Sequence, residues 1–358
     1  MMKIGWFFNA HGSGHYHRLQ AILPYFAKTT QLTSLSYQPA QLTHQGNQVP
    51  HITLPAYNQT GLNPHLRKQA WQTLHGMQLN HGVNAPVFAA LTRWLATWRP
   101  DLMVVDVALE IALAARLCGI PVVYMRQHGK RWDLGHQIAY EGSMALIAPF
   151  SAAMEQADCP SWIQRKTWYS GGFCRFQPGA TARPRAFQSD RPNIVVLIGS
   201  GGTAIQSADI AAAAQATPTW QWFVLGQLDP PESLTANVRL LGRIETVHPY
   251  LQHADLVVAN AGHNTVMEIG AVEAPFLCLP AQRPFKEQLC KAEVLSRLDL
   301  AVVRHRWPSE AEWPALLQTA QAQPRHRWQT LRNPAAPQHI AQQLEAWTQK
   351  CLPIGGDR

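Results

Sequence analysis

The sequence predicts an α/β protein made of two Rossmann-like domains whose parallel sheets face a central cleft. Two glycine loops, at residues 9–15 and 199–203, each follow an apolar strand and precede a helical pattern, about half a chain apart. Short β-branched or aromatic runs alternate with helical patterns in both halves, as in parallel sheets with crossover helices. The chain of 358 residues is too long for one ordinary core and fits two domains of roughly 150–180 residues each.

The first domain is predicted over residues 1–167. Its strands are expected at 4–8, 52–54, 102–105, 122–124 and 145–148. After the first strand, Leu19, Ile22, Leu23 and Phe26 recur with the spacing of one helix face. The first glycine loop therefore lies at the N-terminus of a helix, where unpaired N–H groups favour an anion.

A stretch rich in Gly, Pro, Arg and Ser, without periodicity, predicts a linker over residues 168–191. The second domain is predicted over 192–335, with strands at 194–198, 222–225, 239–241, 256–259, 276–279 and 301–303. Ile340, Leu344 and Trp347 mark one side of a last helix within 336–358. We expect this helix to pack back on the first domain.

The charge favours an anionic partner. The formal charge is +8, but the basic residues are scattered, so nucleic acid is not expected. No signal-peptide pattern opens the sequence and no apolar run approaches the ~18 residues of a membrane span, so a cytoplasmic protein is predicted. A basic, aromatic stretch at 65–71, with Arg67, Lys68 and Trp71, either contacts anionic lipid at the inner face of the membrane or is a solvated helix face.

The first loop carries groups suited to proton transfer. It reads His11-Gly12-Ser13-Gly14-His15, and Arg18 follows. Imidazoles exchange protons near neutral pH, and ligands of open α/β sheets bind at the carboxyl edge of such strands. The alternative is that the histidines only hold the turn. Asp106 ends a strand at the same edge and is either a base, the group that orients the histidine, or an N-cap of the next helix.

The densest pattern lies at 254–268, where a buried strand ends at Gly262, a polar turn opens a helix, and Glu268 lies one turn in. Thr265-x-x-Glu268 is also a capping box. Glu268 therefore either binds a ligand or satisfies the start of the helix.

This stretch, the turn at 274–275 and the segment that ends at Gln288 resemble the donor half of inverting GT-B glycosyltransferases of the MurG-like family 28. That family transfers N-acetylglucosamine from a uridine nucleotide in peptidoglycan synthesis. In the first half the resemblance is looser and rests on 100–106, 119–123 and the loop that ends at His15. The resemblance implies the GT-B fold.

The resemblance also implies roles for single residues. Glu268 accepts hydrogen bonds from ribose hydroxyls, Gln288 and Glu287 read sugar hydroxyls, and the backbone of Ile244 meets the uracil. His15 is the base that deprotonates the acceptor. The diphosphate is expected against Ser200, Gly201, Gly202, Gly262, His263, Asn264 and Thr265. The acceptor or a phosphate is expected near His11, Gly12, Ser13, Gly14 and Arg18. The resemblance gives no individual role to His11, Arg18, His263 or Arg283.

The expected activity is inverting transfer of a sugar, foremost an N-acetylhexosamine, from a UDP-sugar to an acceptor hydroxyl in cell-envelope glycan synthesis. The acceptor, a glycan or a lipid-linked sugar, is not identified. No Asp-x-Asp occurs in the chain, so we expect no metal and no cofactor. Gly12-x-Gly14-His15-x-x-Arg18 also resembles nucleotide-sugar hydrolases of nonulosonic-acid synthesis. A non-hydrolysing 2-epimerase is a weaker alternative, because no motif places the acidic pair that this reaction needs. The alternative from a different class is a non-catalytic nucleotide-sugar-binding protein.

Overall fold

The computed structural model describes residues 1–9, 13–55, 74, 82, 84–176, 179–187, 191–199, 201–230 and 233–352. His11, Gly12, Ser200 and the basic stretch 65–71 lie outside these residues. Among the helices that are described, none is both long enough and apolar enough to cross a membrane.

The first domain is built on a parallel sheet. Its strands in chain order are β1 (Lys3–Phe8), β2 (Gln31–Ser36), β3 (Thr43–His44), β4 (Asn47–Gln48), β5 (His51–Thr53), β6 (Leu102–Asp106), β7 (Val122–Met125), β8 (Ala145–Ala148) and β9 (Thr167–Tyr169). In the described part of the chain, seven of these strands pair in the order β5-β2-β1-β6-β7-β8-β9. β3 and β4 form a separate antiparallel pair.

Helices cover both faces of this sheet. They are α1 (Gly14–Ile22), α2 (Asn84–Trp98), α3 (Leu109–Leu117), α4 (Leu134–Gly142) and α5 (Ser161–Lys166), with 3-10 turns at Leu23–Tyr25 and Ala152–Met154. Alternate side chains of β1 point to opposite faces. Trp6 and Phe8 pack with Leu19 of α1, whereas Phe7 packs with Leu91 of α2 and Ile111 of α3. Both faces are therefore buried, as expected for a parallel sheet.

The second domain repeats the arrangement. Its strands are β10 (Asn193–Leu197), β11 (Gln221–Leu225), β12 (Val238–Gly242), β13 (Leu256–Ala259), β14 (Phe276–Cys278) and β15 (Val302–Val303). They form a parallel sheet in the order β12-β11-β10-β13-β14-β15. The helices are α6 (Ser207–Ala216), α7 (His248–Gln252), α8 (His263–Val272), α9 (Glu287–Arg297) and α10 (Trp313–Gln321), with 3-10 turns at Pro284–Lys286, Glu310–Glu312 and Arg325–Thr330. The last helix of the chain is α11 (Ala336–Cys351).

Each sheet has its topological switch point beside its first strand. β1 lies between β2 and β6, and β10 lies between β11 and β13. Connections from neighbouring strands leave in opposite directions at such a point, which opens a crevice at the carboxyl ends of the strands. The two glycine loops follow β1 and β10, so both lie at a crevice.

Four strands of the first domain were not predicted: the short pair β3 and β4, and the sheet strands β2 and β9. β2 was not predicted because Gln31, Thr33, Ser34 and Ser36 interrupt the apolar pattern. The structure buries its hydroxyls with partners: the Ser34 hydroxyl lies 2.9 Å from His51 Nδ1, and Ser36 Oγ donates to the Gln38 carbonyl. β9 begins at Thr167 and pairs with β8, so residues 168 and 169 belong to the first sheet rather than to the predicted linker.

The chain passes between the domains twice, and the two passages lie side by side. Gly172 N donates to the Leu331 carbonyl at 2.9 Å, and Asn333 N donates to the Gly172 carbonyl at 2.7 Å. Beyond the second passage, α11 buries Ile340 and Leu344 in the core of the first domain, against Leu19 and Ile22 of α1.

Candidate active site

A cleft of about 1030 Å³ lies between the carboxyl edges of the two sheets. The first domain lines it with residues that include His15, Arg18 and Gln127. The second domain lines it with residues that were predicted to bind the donor. They include Gly201, Ile244, Thr265 and Gln288. The volume is that of an ordinary small-molecule site.

His15 lies in the first turn of α1, and its Nδ1 is 3.1 Å from Asp106 Oδ1. Nδ1 has no well-formed hydrogen bond among the described residues, so this is a close polar contact whose geometry is not that of a hydrogen bond. The imidazole is 12% exposed and Asp106 is fully buried. The pair has the arrangement of a base with an orienting carboxylate, and such contacts are often loose without substrate.

Arg18 occupies the same carboxylate. Its Nη1 donates to both oxygens of Asp106, at 2.7 and 2.8 Å. Burial alone would raise the pKa of Asp106, but the charges of Arg18 and then His15 outweigh it and hold the pKa below its ordinary value. Asp106 is therefore ionised at neutral pH, and the structure pairs Arg18 with it.

Asp106 is not an N-cap. The following helix, α3, has Ala108 at its N-cap position and no side-chain cap. Of the three sequence-based readings of Asp106, the capping one is wrong because the carboxylate points back towards α1 instead of forward to α3.

The opposite wall is the start of α8. Gly262 is the N-cap and has no side chain to cap the helix, so His263, Asn264 and Thr265 form the first turn. Asn264 Nδ2 donates to the Gly14 carbonyl at 3.1 Å and so joins the two domains. His263 is buried; desolvation, then the charge of Lys291, puts its pKa well below the usual value. It is therefore neutral.

Glu268 follows one turn into α8 and accepts a hydrogen bond from Arg175 Nε at 2.8 Å. The capping-box reading of Glu268 is wrong, because the N-cap is Gly262 and Thr265 already lies inside the helix. Burial raises the pKa of Glu268, and Arg175 opposes that shift. Arg175 thus favours the carboxylate form, which is the form that accepts hydrogen bonds.

Glu287 and Gln288 open α9. Gln288 Oε1 accepts a hydrogen bond from Ala281 N at 2.9 Å. Its amide nitrogen lies near Gly262, 3.9 Å from the position that a Cβ would take there. Glu287 accepts from Arg131 Nη2 of the first domain at 3.1 Å. With its amide oriented by the hydrogen-bond pattern, Gln127 donates to both Glu287 oxygens and accepts from Arg18 Nη2, each at 3.1 Å.

These contacts form one chain of polar groups across the cleft. It runs from His15 through Asp106, Arg18 and Gln127 to Glu287. The residue expected to act on the acceptor and the residue expected to read the donor sugar are therefore joined by hydrogen bonds and ion pairs.

The second glycine loop lines the same cleft as the start of α8. Gly201 and Gly202 follow β10, and Arg283 Nη2 donates to both of their carbonyls. Ile244 follows β12 and lines the cleft beside Arg243. The described residues of the predicted donor set are thus gathered along one wall.

Three residues of the site, Gln127, Arg131 and Arg175, were not predicted from the sequence. Gln127 and Arg131 follow β7, and a polar residue after a buried strand is a signal that could have selected them. Arg175 lies in the stretch predicted as linker, where nothing in the local pattern marks it. Only the path of the chain brings it to Glu268.

Residues 227–306 match the glycosyltransferase family 28 C-terminal domain. An uncharacterised glycosyltransferase of Methanosarcina mazei is 30% identical over 262 residues, which cover 64% of this chain and 66% of the relative. A second relative is the UDP-N-acetylglucosamine–N-acetylmuramyl-(pentapeptide) pyrophosphoryl-undecaprenol N-acetylglucosamine transferase of Haemophilus ducreyi. It is 27% identical over 201 residues, covering 53% of this chain and 55% of the relative. The chain thus spans less than two thirds of the length of these relatives.

Solved glycosyltransferase structures superpose on nearly the whole of this chain. The kitacinnamycin glycosyltransferase superposes with a TM-score of 0.71 at 15% identity, covering 98% of this chain and 99% of its own. MurG of Acinetobacter baumannii superposes with a TM-score of 0.62 at 16% identity, covering 97% and 100%. The predicted fold class is confirmed. The chain therefore has the GT-B fold, and part of its second domain is similar to the C-terminal domain of glycosyltransferase family 28.

Proposed function

We propose that this protein is an inverting, metal-independent glycosyltransferase. It moves a sugar, foremost an N-acetylhexosamine, from a UDP-sugar to an acceptor hydroxyl. The observation that carries the proposal is the placement of the His15–Asp106 pair on one wall of the cleft, opposite Glu268, Gln288 and the start of α8. Proton transfer and nucleotide-sugar binding need groups of these two kinds facing one another.

In the proposed reaction, His15 takes the proton of the acceptor hydroxyl and Asp106 stabilises the imidazolium that forms. The hydroxyl oxygen attacks the anomeric carbon from the face opposite the diphosphate, so the configuration inverts. The bond between the anomeric carbon and the β-phosphate oxygen breaks, and its electron pair stays with the diphosphate. The N-terminus of α8 and the backbone N–H groups of the second glycine loop stabilise that charge.

On the donor side, Glu268 accepts from the ribose hydroxyls, and Gln288 and Glu287 read the sugar. Arg175 supports this role because its charge and its hydrogen bond favour the ionised form of the buried Glu268 and oppose the upward shift of its pKa. The backbone of Ile244 meets the uracil. The acceptor is proposed as a glycan or lipid-linked sugar of the cell envelope, by likeness to the undecaprenol-linked substrate named for the Haemophilus relative. Peripheral contact with the inner face of the membrane belongs to the same proposal.

The test is a panel of nucleotides and nucleotide sugars, read by thermal stabilisation and by release of free nucleoside diphosphate. A ligand at 100 times its Kd stabilises by about 2.7 kcal/mol. We expect UDP and UDP-N-acetylhexosamines to stabilise the wild type and His15→Ala alike. His15→Ala should lower turnover about 10²–10⁴-fold, as for loss of a general base.

Other outcomes select other functions. Release of UDP at full rate without an acceptor identifies a nucleotide-sugar hydrolase. Binding without turnover under any condition identifies a non-catalytic binding protein. Turnover by His15→Ala at the wild-type rate contradicts the role of His15, and the absence of stabilisation by every nucleotide contradicts the proposal as a whole.

A further inference from the structure

Arg283 lies between β14 and α9, in the segment that ends at Glu287 and Gln288. Its Nη2 donates to the carbonyl of Gly201 at 2.5 Å and to that of Gly202 at 2.7 Å. A Cβ added to Gly201 would lie 3.5 Å from the same nitrogen, so the guanidinium is close to the backbone of this glycine. Arg283, Gly201 and Gly202 all line the cleft, so the guanidinium lies at the loop that follows β10.

Two backbone carbonyls are weak partners for a guanidinium. Among the described residues, Arg283 forms no ion pair with a carboxylate. Arginine favours carboxylates and phosphates because its planar donors match their oxygens and the charges attract. A phosphate in the cleft would therefore compete well for the donors that Arg283 now directs at the loop.

The loop itself creates a need for this charge. Carbonyl oxygens carry partial negative charge, and those of Gly201 and Gly202 are gathered around one point at the cleft wall. Without a cation, that point would repel a diphosphate. With Arg283 in place, the same wall presents positive charge.

The position of Arg283 also depends on the first domain. The turn that follows it, Pro284–Lys286, is held by a hydrogen bond from Lys130 N to the Phe285 carbonyl at 2.7 Å. Arg131 stacks over the Phe285 ring at 4.7 Å. Contact between the domains thus fixes the segment that carries the guanidinium.

We propose that Arg283 is a catalytic residue that contacts the β-phosphate of the donor and neutralises the charge of the leaving diphosphate. As the bond from the anomeric carbon to the β-phosphate oxygen breaks, the electron pair moves to that oxygen. Arg283 donates to the phosphate while the acceptor proton goes to His15. This inference rests on the proposed function and adds a residue that the family resemblance does not assign.

The experiment compares Arg283→Gln, Arg283→Lys and the wild type in their affinity for UDP and for UMP by titration calorimetry. Gln retains a donor for the loop carbonyls but removes the charge, and Lys keeps the charge. Arg325→Gln, at an exposed arginine of the same domain, is the matched control. A charge-assisted hydrogen bond corresponds to about a 10- to 100-fold change in affinity.

We expect Arg283→Gln to lose about 10- to 100-fold in UDP affinity, to keep its UMP affinity, and to fall about 10²–10³-fold in kcat. Arg283→Lys should retain part of the UDP affinity and part of the kcat, and Arg325→Gln should match the wild type in all of these quantities. Equal UDP affinity in Arg283→Gln and the wild type, or an equal loss for UDP and UMP, overturns the inference while the proposed function stands. If the wild type itself binds neither nucleotide, both are overturned.

Discussion

At the scale of single residues, Lys291 is an unusual part of the site. It lies one turn after Glu287 in α9, is fully buried, and its Nζ has no hydrogen-bond partner among the described residues. Burial lowers its pKa to about 8, although the charge of Glu287 opposes that shift. An unpartnered buried ammonium destabilises the fold, so this region is built at a cost in stability, as functional sites often are.

We predict that Lys291→Met is more stable than the wild type at pH 7 by about 1–3 kcal/mol. The substitution removes a buried charge, and the Met side chain has a volume similar to that of Lys. The pKa of Lys291 is lower in the folded state than the ordinary ~10.4 of the unfolded chain. The unfolded state therefore binds more protons between these values, and wild-type stability rises as pH increases from about 8 to 10. Lys291→Met should lack that rise.

Urea denaturation at pH 7, 8, 9 and 10 measures both effects. Lys350→Met, at an exposed lysine of α11, is the control and should keep the wild-type pH dependence. A Lys291→Met variant that is less stable at pH 7 and has the same pH slope would show that Lys291 is paired.

At the scale of elements, the loop after β7 and the turn before α9 form a contact between the domains. Gly129 has φ +119°, and a Cβ there would lie 2.9 Å from the Phe285 carbonyl oxygen. Phe285 and Lys286 are themselves left-handed, with φ of 57° and 55°. Backbone strain on both sides is typical of a functional site, and here it presents Glu287 to the cleft.

We predict that Gly129→Ala lowers kcat/KM for the donor about fivefold to tenfold, because the added methyl group displaces the turn and weakens the bond from Lys130 N to Phe285, worth about 1 kcal/mol. Gly119→Ala is the matched control. Gly119 also has a positive φ, of +77°, but nothing lies within 4 Å of the position of its Cβ.

Steady-state kinetics and thermal unfolding of the two variants separate the effects. Both variants should be less stable than the wild type because of backbone strain. Only Gly129→Ala should have a lower kcat/KM for the donor. Equal kinetics in the two variants would exclude a role for this contact in donor use.

The extent to which sequence predicts this structure differs between elements. β10 and β13 are apolar runs followed by glycine, so the local pattern defines both the strand and the site at its end. The sequence pattern does not predict β2, because its buried hydroxyl groups have hydrogen-bond partners only in the folded structure. The roles of Arg175, Gln127 and Arg131 depend on contacts between residues that are far apart in the chain, 156 positions for Arg131 and Glu287, which no local spacing encodes. Glu268 was selected by its motif, whereas its ion pair was not foreseeable.

At the scale of the whole molecule, the two passages between the domains are hydrogen-bonded to one another. Asn333 Nδ2 donates to the Ser170 carbonyl at 2.7 Å, beside the backbone bonds of Gly172. The second passage then delivers α11 to the first domain, where Ile340 and Leu344 are fully buried. The last helix in the sequence is therefore part of the first core.

We predict that Ile340→Ala destabilises the first domain by about 2–5 kcal/mol, the usual cost of such a truncation in a core. The measurement is hydrogen exchange by mass spectrometry, which reports stability segment by segment. Exchange should increase in β1 and α1 and stay unchanged in β10 and β13.

Gln342→Ala, at an exposed position of α11, is the control and should leave exchange unchanged throughout. Faster exchange in β10 and β13 of Ile340→Ala, with β1 unaffected, would show that α11 stabilises the second domain instead.

The return of α11 has a consequence for recombination between relatives. A single crossover in a gene that exchanges everything after residue 191 would import a foreign helix into the first core, with side chains shaped for other neighbours. A chimera that keeps both cores intact needs two junctions, one in each passage, so that α11 stays with the domain it packs against. New pairings of first and second domains are therefore best made by exchanging an internal segment rather than the whole C-terminal part of the chain.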